Sequence, residues 1–274
     1  MRIGIVAIIG QLDMPYVKEW LEYHYAIGVN EVWLFMNDWN PLEELKMDKI
    51  EGYFGKDRLH LMRHYDGQRM QLPAYNYGMK LANEAGIDWC AFIDIDEFIR
   101  VRDRTRTFAE ILERHDGLPQ LSLNWRLFGS NGIEKVEDIY TPDPWYLTDR
   151  FDVIDRFQKC EKVLNHHVKQ IIHLKMYRDN KADLPQFANP HFTNNCSYST
   201  DGYPVVGPFN ETRLDEVHEI ELNHYITKSR EECRIRRSYK RVDTGFTREE
   251  GWEAFFNAHD KNDIYEEQLE YRNQ

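Results

Sequence analysis

The sequence predicts an α/β fold in which a mostly parallel central sheet is flanked by helices. Three observations carry this prediction. Four runs of β-branched and aromatic residues lie within residues 1–100, segments with apolar residues at helical spacing separate them, and glycines close most of those segments. Strands that alternate with helices pair in parallel, and ligands bind beyond their carboxyl ends. Functional residues are therefore expected directly after the strands.

The elements follow a regular order through residue 98 and a less regular one after it. The first strand runs lie at 2–9, 31–38, 59–64 and 89–98, with helical segments at 14–28, 41–55 and 72–86. The later signals are a strand and a glycine-bearing turn at 120–132, a strand at 169–177, a loop or hairpin at 188–209, and a strand followed by a charged helix at 219–241. Because no linker or repeat interrupts this order, a single domain over residues 1–274 is expected.

The composition argues against several classes of protein. A net charge of −12 argues against nucleic-acid binding by electrostatic attraction, and a phosphate ligand would need a cation, supplied locally or as a metal ion. The four cysteines (Cys90, Cys160, Cys196 and Cys233) show neither zinc-site spacing nor a disulfide framework. No apolar run is long enough to span a bilayer. We therefore expect a soluble, cytoplasmic protein.

Three carboxylates close the fourth strand run. Asp94, Asp96 and Glu97 follow the apolar stretch "WCAFI", where clustered negative charge repels itself. Because the backbone can turn at a strand end, both aspartates can converge on one hard cation, and oxygen ligands suit Mg²⁺ or Mn²⁺. Such an ion would relieve the repulsion and neutralise a leaving diphosphate. The alternative is an ordinary solvated turn, since Asp-x-Asp alone is a weak pattern.

Four stretches, in order along the chain, resemble one group of enzymes. Residues 5–38, which contain "EWLEYH", resemble the opening of glycosyltransferases related to families 2 and 92, and "WCAFIDIDEFI" resembles their Asp-x-Asp-Glu-Phe strand. "NWRLFGSNG" and "LNHYITKSREE" resemble two later blocks, so the resemblance spans roughly residues 3–241. It implies a GT-A fold, with a nucleotide-binding half at 1–100 and an acceptor-binding half at 101–274.

The resemblance also implies a reaction and its partners. A sugar would pass from a nucleotide-sugar donor, a UDP-sugar first of all, to a hydroxyl of a glycan or a lipid-linked oligosaccharide. Mn²⁺ or Mg²⁺ would assist, and the anomeric carbon would be inverted. Bacterial polysaccharide assembly is the setting that such enzymes suggest by analogy. No nucleic-acid partner and at most peripheral contact with the inner face of the membrane are expected.

The resemblance assigns the acidic strand end to the metal and the donor. Asp96 is the expected metal ligand, and Asp94 either holds the donor ribose or reaches the metal, directly or through water. Glu97 either braces the turn or touches the donor sugar. His224, in "LNHYITK", is the expected third metal ligand, with His191 as a rival. Either histidine is otherwise a structural residue.

Four more residues are assigned to the donor. Asp13 stands where the related sequences carry the Glu of a Lys-Asn-Glu motif, although this chain reads "GQLDM" there. Asp38, beside Asn37 at the end of the second strand, contacts the base or ribose, or else forms a turn or helix cap. Arg126 binds hydroxyls or phosphate, and Lys228 or a nearby arginine holds the diphosphate. The basic stretch after Lys228 is otherwise a solvated helix face or a contact with an anionic membrane surface.

The acceptor side has three candidates. Trp125 offers a flat face for a sugar ring, and His191 is a second acceptor contact. Trp125 and Arg126 could equally be a core residue and a structural brace. Asp155, in "VIDRF" with Arg156 beside it, is the candidate general base that takes the proton of the acceptor hydroxyl. An ion pair on a helix is the alternative for Asp155, and Asp152 and Glu97 are alternative bases.

Two other functions share part of this sequence pattern with glycosyl transfer. Phosphatases of the haloacid-dehalogenase type also use Asp-x-Asp after a strand, but a small residue stands where this chain has Phe98, and their motif lies near the start of the fold. That class is excluded. A non-catalytic sugar- or nucleotide-binding protein of the same fold stays open, since only activity separates it from an enzyme.

Overall fold

The computed structural model of the chain describes residues 1–37, 41–63, 69–103, 105–135, 159–160, 166–210, 219–239, 247–260 and 264–265, of which 41–43, 159–160 and 264–265 by backbone alone. The strands are β1 (Ile3–Ile9), β2 (Glu31–Met36), β3 (Leu59–Met62), β4 (Trp89–Phe92), β5 (Glu97–Val101), β6 (Gln120–Leu127), β7 (Lys159–Cys160), β8 (Val168–His173), β9 (Phe187–Asn189), β10 (Phe192–Thr193), β11 (Ser197–Tyr198), β12 (Pro204–Val205), β13 (Ile220–His224) and β14 (Ile264–Tyr265). The helices are α1 (Met14–Ala26), α2 (Pro41–Phe54), α3 (Gln71–Glu84), α4 (Phe108–Arg114), α5 (Leu174–Asp179), α6 (Arg230–Ser238) and α7 (Trp252–His259).

One large sheet organises the described part of the chain. Eight of its ten strands follow one another in the order β12-β11-β6-β8-β4-β1-β2-β3. Strands β1 to β4 run parallel, as their alternation with helices predicts. Strand β8 runs antiparallel between β4 and β6, and β13 pairs with β6 and with β5. The predicted α/β fold, with a largely parallel sheet flanked by helices, is confirmed.

Two predicted elements are corrected. The run predicted as one strand over 89–98 is two strands, because residues 93–96 leave β4 and turn before β5 begins. The run predicted as a strand over 169–177 is β8 followed by the short helix α5, whose Leu174 and Tyr177 are buried at helical spacing. The sequence predictions also lacked α4, although Thr107 and Glu110 form the capping box that marks its start.

Strand β1 shows why the sheet is apolar on both faces. All seven of its residues are buried. Ile5 and Ala7 belong to one hydrophobic cluster with α1, whereas Val6 and Ile8 belong to a second cluster with α3. Since successive side chains of a strand point to opposite faces, a strand covered on both faces must be apolar throughout. The polar residues that end the strands therefore emerge from the core at the edge of the sheet.

Helix α1 holds β5, the strand that follows the acidic turn. Trp20 Nε1 donates to the Glu97 carbonyl at 2.8 Å, and Tyr23 Oη donates to the Ile99 carbonyl at 2.7 Å. The Ile99 N–H donates to His24 Nε2 at 3.3 Å. Among the described strands β5 pairs with β13 alone, so these three side chains bind backbone groups that no strand pairs. The first residue of β5, Glu97, is thus fixed from the helix side.

Two further observations concern thiols and membranes. Among the side chains that the structure describes, Cys90, Cys196 and Cys233 are free thiols. Of the helices within the described ranges, none is both long enough and apolar enough to cross a membrane.

His24 predicts a pH dependence of stability. Burial lowers the pKa of His24 from 6.5 to about 3, although its Nδ1–H donates to the Trp20 carbonyl. Between these two pH values, 6.5 and about 3, the unfolded chain binds a proton at His24 that the folded chain does not. The free energy of unfolding therefore falls as the pH drops, by about 1.4 kcal/mol per pH unit for this one residue.

Urea unfolding at about pH 7 and about pH 5 measures this loss of stability. His24→Asn keeps a polar side chain but removes the titration, so the variant is expected to lose less stability over the same interval. The same loss in both proteins would contradict the assignment.

Candidate active site

A cavity of about 370 Å³ lies at the edge of the sheet where β1, β2 and β4 end. Residues that follow these strands line it, as expected for a ligand site in this class of fold. Those residues are Gly10, Gln11, Leu12, Asp13, Asn37, Asp94, Ile95 and Asp96. The facing walls come from later elements and include Trp125, Lys169, His191, His224, Arg236 and Arg248.

Asp94 is held by three protein donors. Tyr75 Oη donates to its Oδ1 at 2.9 Å, and Gln71 Nε2 donates to the same oxygen at 3.0 Å. Lys169 Nζ donates to Oδ2 at 2.9 Å. Burial by itself raises the pKa of Asp94, but Lys169 and these hydrogen bonds outweigh it, so the pKa lies below its ordinary value. Asp94 is therefore an ionised carboxylate in a fixed orientation.

Lys169 is a site residue that the sequence predictions missed. Its side chain is 1% exposed, and its Nζ also lies 3.7 Å from Glu97 Oε2. Burial alone lowers the pKa of Lys169, but the attraction of Asp94 and Glu97 outweighs it and raises the pKa well above its ordinary value. The available signal was a lysine within the apolar run "VKQIIH", since lysines are almost never fully buried without a partner.

Asp96 has one oxygen that faces cations and one that faces a histidine. Arg236 Nη2 lies 3.4 Å and Lys228 Nζ 3.6 Å from its Oδ2. Its Oδ1 lies 3.6 Å from His224 Nε2 and has no hydrogen-bond partner among the described residues. Burial would raise the pKa of Asp96, but Arg236, Lys228 and His224 outweigh burial and lower it. Asp96 is thus ionised, with one oxygen uncommitted.

His224 lies between two carboxylates. Its Nε2 faces Asp96, and its Nδ1 lies 4.0 Å from Glu97 Oε1. Within the described part of the chain, neither that Nδ1 nor that Oε1 has a hydrogen-bond partner. Burial lowers the pKa of His224 to about 4, so the ring is neutral at neutral pH. A metal-binding histidine usually donates its other ring N–H to a carboxylate or carbonyl, and Glu97 Oε1 lies on that side of the ring but beyond hydrogen-bonding distance.

Asp96 and His224 fit a divalent cation better than Asp94 does. Ligands about 2.1 Å from one ion lie about 3 to 4 Å apart, and Asp96 Oδ1 and His224 Nε2 are 3.6 Å apart. Asp94, by contrast, has both oxygens bound by protein donors. Among the described residues, no group of three His, Cys, Asp or Glu side chains is arranged to hold a metal. The predicted set of three metal ligands stays a prediction.

Asp13 and Arg236 line one side of the cavity, with Lys228 behind them. Arg236 Nη1 donates to Asp13 Oδ1 at 2.7 Å, so Arg236 bridges Asp13 and Asp96. Lys228 Nζ lies 3.9 Å from the same Asp13 oxygen. The backbone of Lys228 has a φ of 51°, in the left-handed region that lysine rarely adopts. Such strain is typical of functional sites and here accompanies a buried cation between two carboxylates.

Trp125 and three histidines form an aromatic wall. The Trp125 ring lies 4.2 Å from that of His224, 4.8 Å from that of His167 and 5.1 Å from that of His191, between centroids. His191 Nδ1 lies 3.0 Å from the Val168 carbonyl, which can only accept, so Nδ1 carries the hydrogen and Nε2 does not. Burial lowers the pKa of His191 to about 3. The neutral ring therefore presents Nε2 as a hydrogen-bond acceptor.

The predicted site residues fall into three groups. Those at the cavity are Asp13, Asp94, Asp96, Trp125, His191 and His224. Glu97 and Lys228 are buried behind it, where Glu97 contacts Asp94 and Lys228 contacts Asp96. Arg126 is not among the described residues that line the cavity. The rest lie outside the described residues, namely Asp38, Asp152, Asp155 and Arg156. The general base therefore stays a prediction.

Four site residues were absent from the sequence predictions. They are Gln71, Tyr75, Lys169 and Arg236. Gln71 and Tyr75 are four residues apart on α3, so they share one face of the helix. Arg236 lies in the basic stretch from which an unspecified arginine was expected to bind phosphate. None of the four stands next to the acidic turn in the sequence.

The family of the chain follows from comparison with known proteins. The model of the family described as "Glycosyltransferase family 92" matches residues 80–222, which is more than half of the chain. The chain therefore belongs to glycosyltransferase family 92, and the activity class that this membership supports is glycosyl transfer. The matched residues include the acidic turn, Trp125, Lys169 and His191, and they end two residues before His224.

Two solved structures are similar at low sequence identity. The apo structure of the bifunctional glycosyltransferase WbbM is 11% identical, with a TM-score of 0.34 over 66% of this chain and 33% of that chain. HddC from Yersinia pseudotuberculosis is 10% identical, with a TM-score of 0.37 over 84% of this chain and 95% of that chain. This chain thus spans about a third of the WbbM chain, and both TM-scores are too low to bear on function. No curated protein matches the chain significantly.

Tyr75→Phe tests the hydrogen bonds around Asp94. The substitution removes the hydroxyl that donates to Asp94 and accepts from Lys169, with little change in packing. We expect the free energy of unfolding to fall by about 1 to 3 kcal/mol, because a half-buried carboxylate loses a donor. Tyr77→Phe, on the same helix but 47% exposed, is the matched control and should change it little. Equal urea unfolding curves for the two variants would argue against the network.

Proposed function

We propose that this chain transfers a sugar from a nucleotide-sugar donor to a hydroxyl of a glycan or a lipid-linked oligosaccharide, with Mn²⁺ or Mg²⁺ bound, and with inversion. The observation that carries the proposal is the pair formed by Asp96 Oδ1 and His224 Nε2. The pair lies in a cavity at the strand ends and is 3.6 Å apart, and Asp96 Oδ1 is buried without a hydrogen-bond partner among the described residues. A uridine nucleotide is the first donor class to test.

Asp96 and His224 are the residues that would hold the cation. When bound, the cation supplies positive charge to the diphosphate as it becomes the leaving group. Arg236 and Lys228 supply charge at the same place, since both lie within 4 Å of Asp96 Oδ2. Arg236 has further N–H donors beyond the one bound to Asp13, so it can also bind a phosphate oxygen.

The nucleoside and the acceptor would occupy opposite walls. Asp13 and Asn37, which follow β1 and β2, are proposed to contact the nucleoside together with Asp38. On the other wall, Trp125 offers an aromatic face to a sugar ring, and His191 Nε2 accepts a hydrogen bond from a hydroxyl.

Displacement with inversion needs a base for the acceptor hydroxyl. Asp155 is proposed for that role, with Arg156 as its positioning partner. The net charge of −12 disfavours a nucleic-acid partner. A cytoplasmic location with at most peripheral membrane contact is part of the same proposal.

A second function is favoured by one observation. Because Arg236 and Lys228 already neutralise Asp96, the acidic turn does not require a metal ion in order to be stable. A non-catalytic sugar- or nucleotide-binding protein of this fold would have the same feature. Such a protein would bind a nucleotide sugar without ever releasing the nucleoside diphosphate.

Calorimetric titration with nucleotides tests the proposed site. UDP, GDP and CMP are titrated with and without Mn²⁺ into the wild type, Asp96→Asn and Asp103→Asn. We expect one nucleotide to bind about tenfold or more tightly with Mn²⁺, and Asp96→Asn to lose about 10- to 100-fold in affinity, because it removes the proposed ligand. Asp103 lies on an exposed loop after β5, so Asp103→Asn should bind as the wild type does. Failure of all three nucleotides to bind would contradict the proposal.

A further inference from the structure

The ammonium group of Lys169 contacts other side chains of the site. Its ammonium group has three N–H donors. The Nζ atom lies 2.9 Å from Asp94 Oδ2 and 3.4 Å from Tyr75 Oη, and it donates a hydrogen bond to each. Its third close neighbour is Glu97 Oε2, at 3.7 Å. A fully buried lysine with two carboxylates and a tyrosine around it acts as a fixed internal cation.

Asp94 has little capacity left for a metal ion. Its two oxygens offer about four lone-pair positions, and donors from Tyr75, Gln71 and Lys169 occupy three of them. The Lys169 ammonium would also repel a divalent cation at that oxygen, as Arg236 and Lys228 would at Asp96 Oδ2. The difference between the two aspartates therefore lies in the second oxygen. The remaining position suits a neutral hydroxyl, which brings no positive charge. Asp96 Oδ1, by contrast, has no hydrogen-bond partner among the described residues.

Lys169 also contacts Glu97, which lies behind His224, one of the two proposed metal ligands. Glu97 Oε2 lies next to Lys169 and accepts a hydrogen bond from the Asp94 backbone N–H at 2.8 Å. The other oxygen, Oε1, lies 4.0 Å from His224 Nδ1. One ammonium group therefore holds a carboxylate at the cavity and the carboxylate that lies behind His224.

We propose that Lys169 is a positioning residue that separates the roles of the two aspartates. It holds Asp94 as a hydrogen-bond acceptor for a hydroxyl of the nucleotide sugar and prevents it from ligating the cation. Of the described residues, Asp96 and His224 are then the ligands of that cation. This inference rests on the proposed function and refines its metal site.

Binding of Mn²⁺ alone, followed by the electron paramagnetic resonance of the free ion, tests the separation of roles. We expect Asp94→Asn to keep the wild-type dissociation constant within about threefold, and Asp96→Asn to weaken binding about tenfold or more. Lys169→Met keeps the length of the side chain and removes its charge. This variant is expected to bind Mn²⁺ about two- to tenfold more tightly, because Asp94 becomes available and a repelling charge is gone.

A second measurement separates positioning from support of the fold. UDP in the presence of Mn²⁺ should bind Lys169→Met more weakly than the wild type, because Asp94 no longer has the orientation that accepts a hydroxyl. Tighter metal binding together with weaker nucleotide binding is a split that local unfolding would not produce. Lys175→Met, at an exposed lysine paired with Asp179 on α5, should change neither constant.

The double variant Lys169→Met/Asp94→Asn covers the case in which the single variant does not fold. It removes both members of the charge pair, so Asp94 is not left as an uncompensated charge. Because the repelling ammonium is gone but residue 94 can no longer ligate, it should bind Mn²⁺ at least as tightly as Asp94→Asn and less tightly than Lys169→Met. Three results would overturn the inference: equal losses in Asp94→Asn and Asp96→Asn, weaker Mn²⁺ binding by folded Lys169→Met, or a double variant that binds Mn²⁺ more weakly than Asp94→Asn. If the wild type binds no Mn²⁺ at all, even with UDP, the proposed metal site fails and the inference fails with it.

Discussion

Compensation of the buried carboxylates after β4 is the constraint on which the rest of the site depends. Removing ionised groups from water is costly unless opposite charges and donors accompany them. Asp94 receives that compensation from Lys169 on β8, and Asp96 receives it from Arg236 on α6 and from Lys228. Glu97 also lies 3.7 Å from Lys169, but burial outweighs that attraction and raises the pKa of Glu97 well above its ordinary value. Strand β8 pairs antiparallel with β4 and so places Lys169 beside Asp94, and β13 pairs with β5 and leads into Lys228 and α6. A hydrophobic strand can end in clustered negative charge because the fold brings cations to it from later in the chain.

The two sources of positive charge differ in what they leave free. Lys169 is buried and contacts both Asp94 and Glu97, so the orientation of these two side chains is fixed before any ligand binds. Arg236 reaches Asp96 from the cavity side and leaves one Asp96 oxygen facing His224. Lys169 thus keeps its neighbours rigid, whereas Arg236 and Asp96 can change partners when a phosphate or a cation binds. This asymmetry is what the proposed transfer reaction would use.

Local patterns were sufficient to predict the parallel half of the fold and that the polar residues after its strands lie at one edge of the sheet. The alternation of strand and helix signals placed β1 to β4, and the polar residues after β1, β2 and β4 line the cavity. Local patterns could not predict the partners. Lys169 lies 75 residues after Asp94, and Arg236 lies 223 residues after Asp13, so no short motif joins them. The strand was predicted to run through residue 98 although β4 ends at Phe92, because the apolar residues Ile93 and Ile95 continue the strand pattern through the turn.

In the proposed reaction, this member of glycosyltransferase family 92 breaks the bond between a sugar and a nucleoside diphosphate at the acidic turn. The most direct measurement is release of the nucleoside diphosphate from a panel of nucleotide sugars, with Mn²⁺ and with Mn²⁺ removed by a chelator. The account predicts that at least one donor is consumed with Mn²⁺, that the chelator stops it, and that Asp96→Asn is inactive in both conditions. Binding of a nucleotide sugar without release of the diphosphate, or release that Asp96→Asn leaves unchanged, would contradict the account.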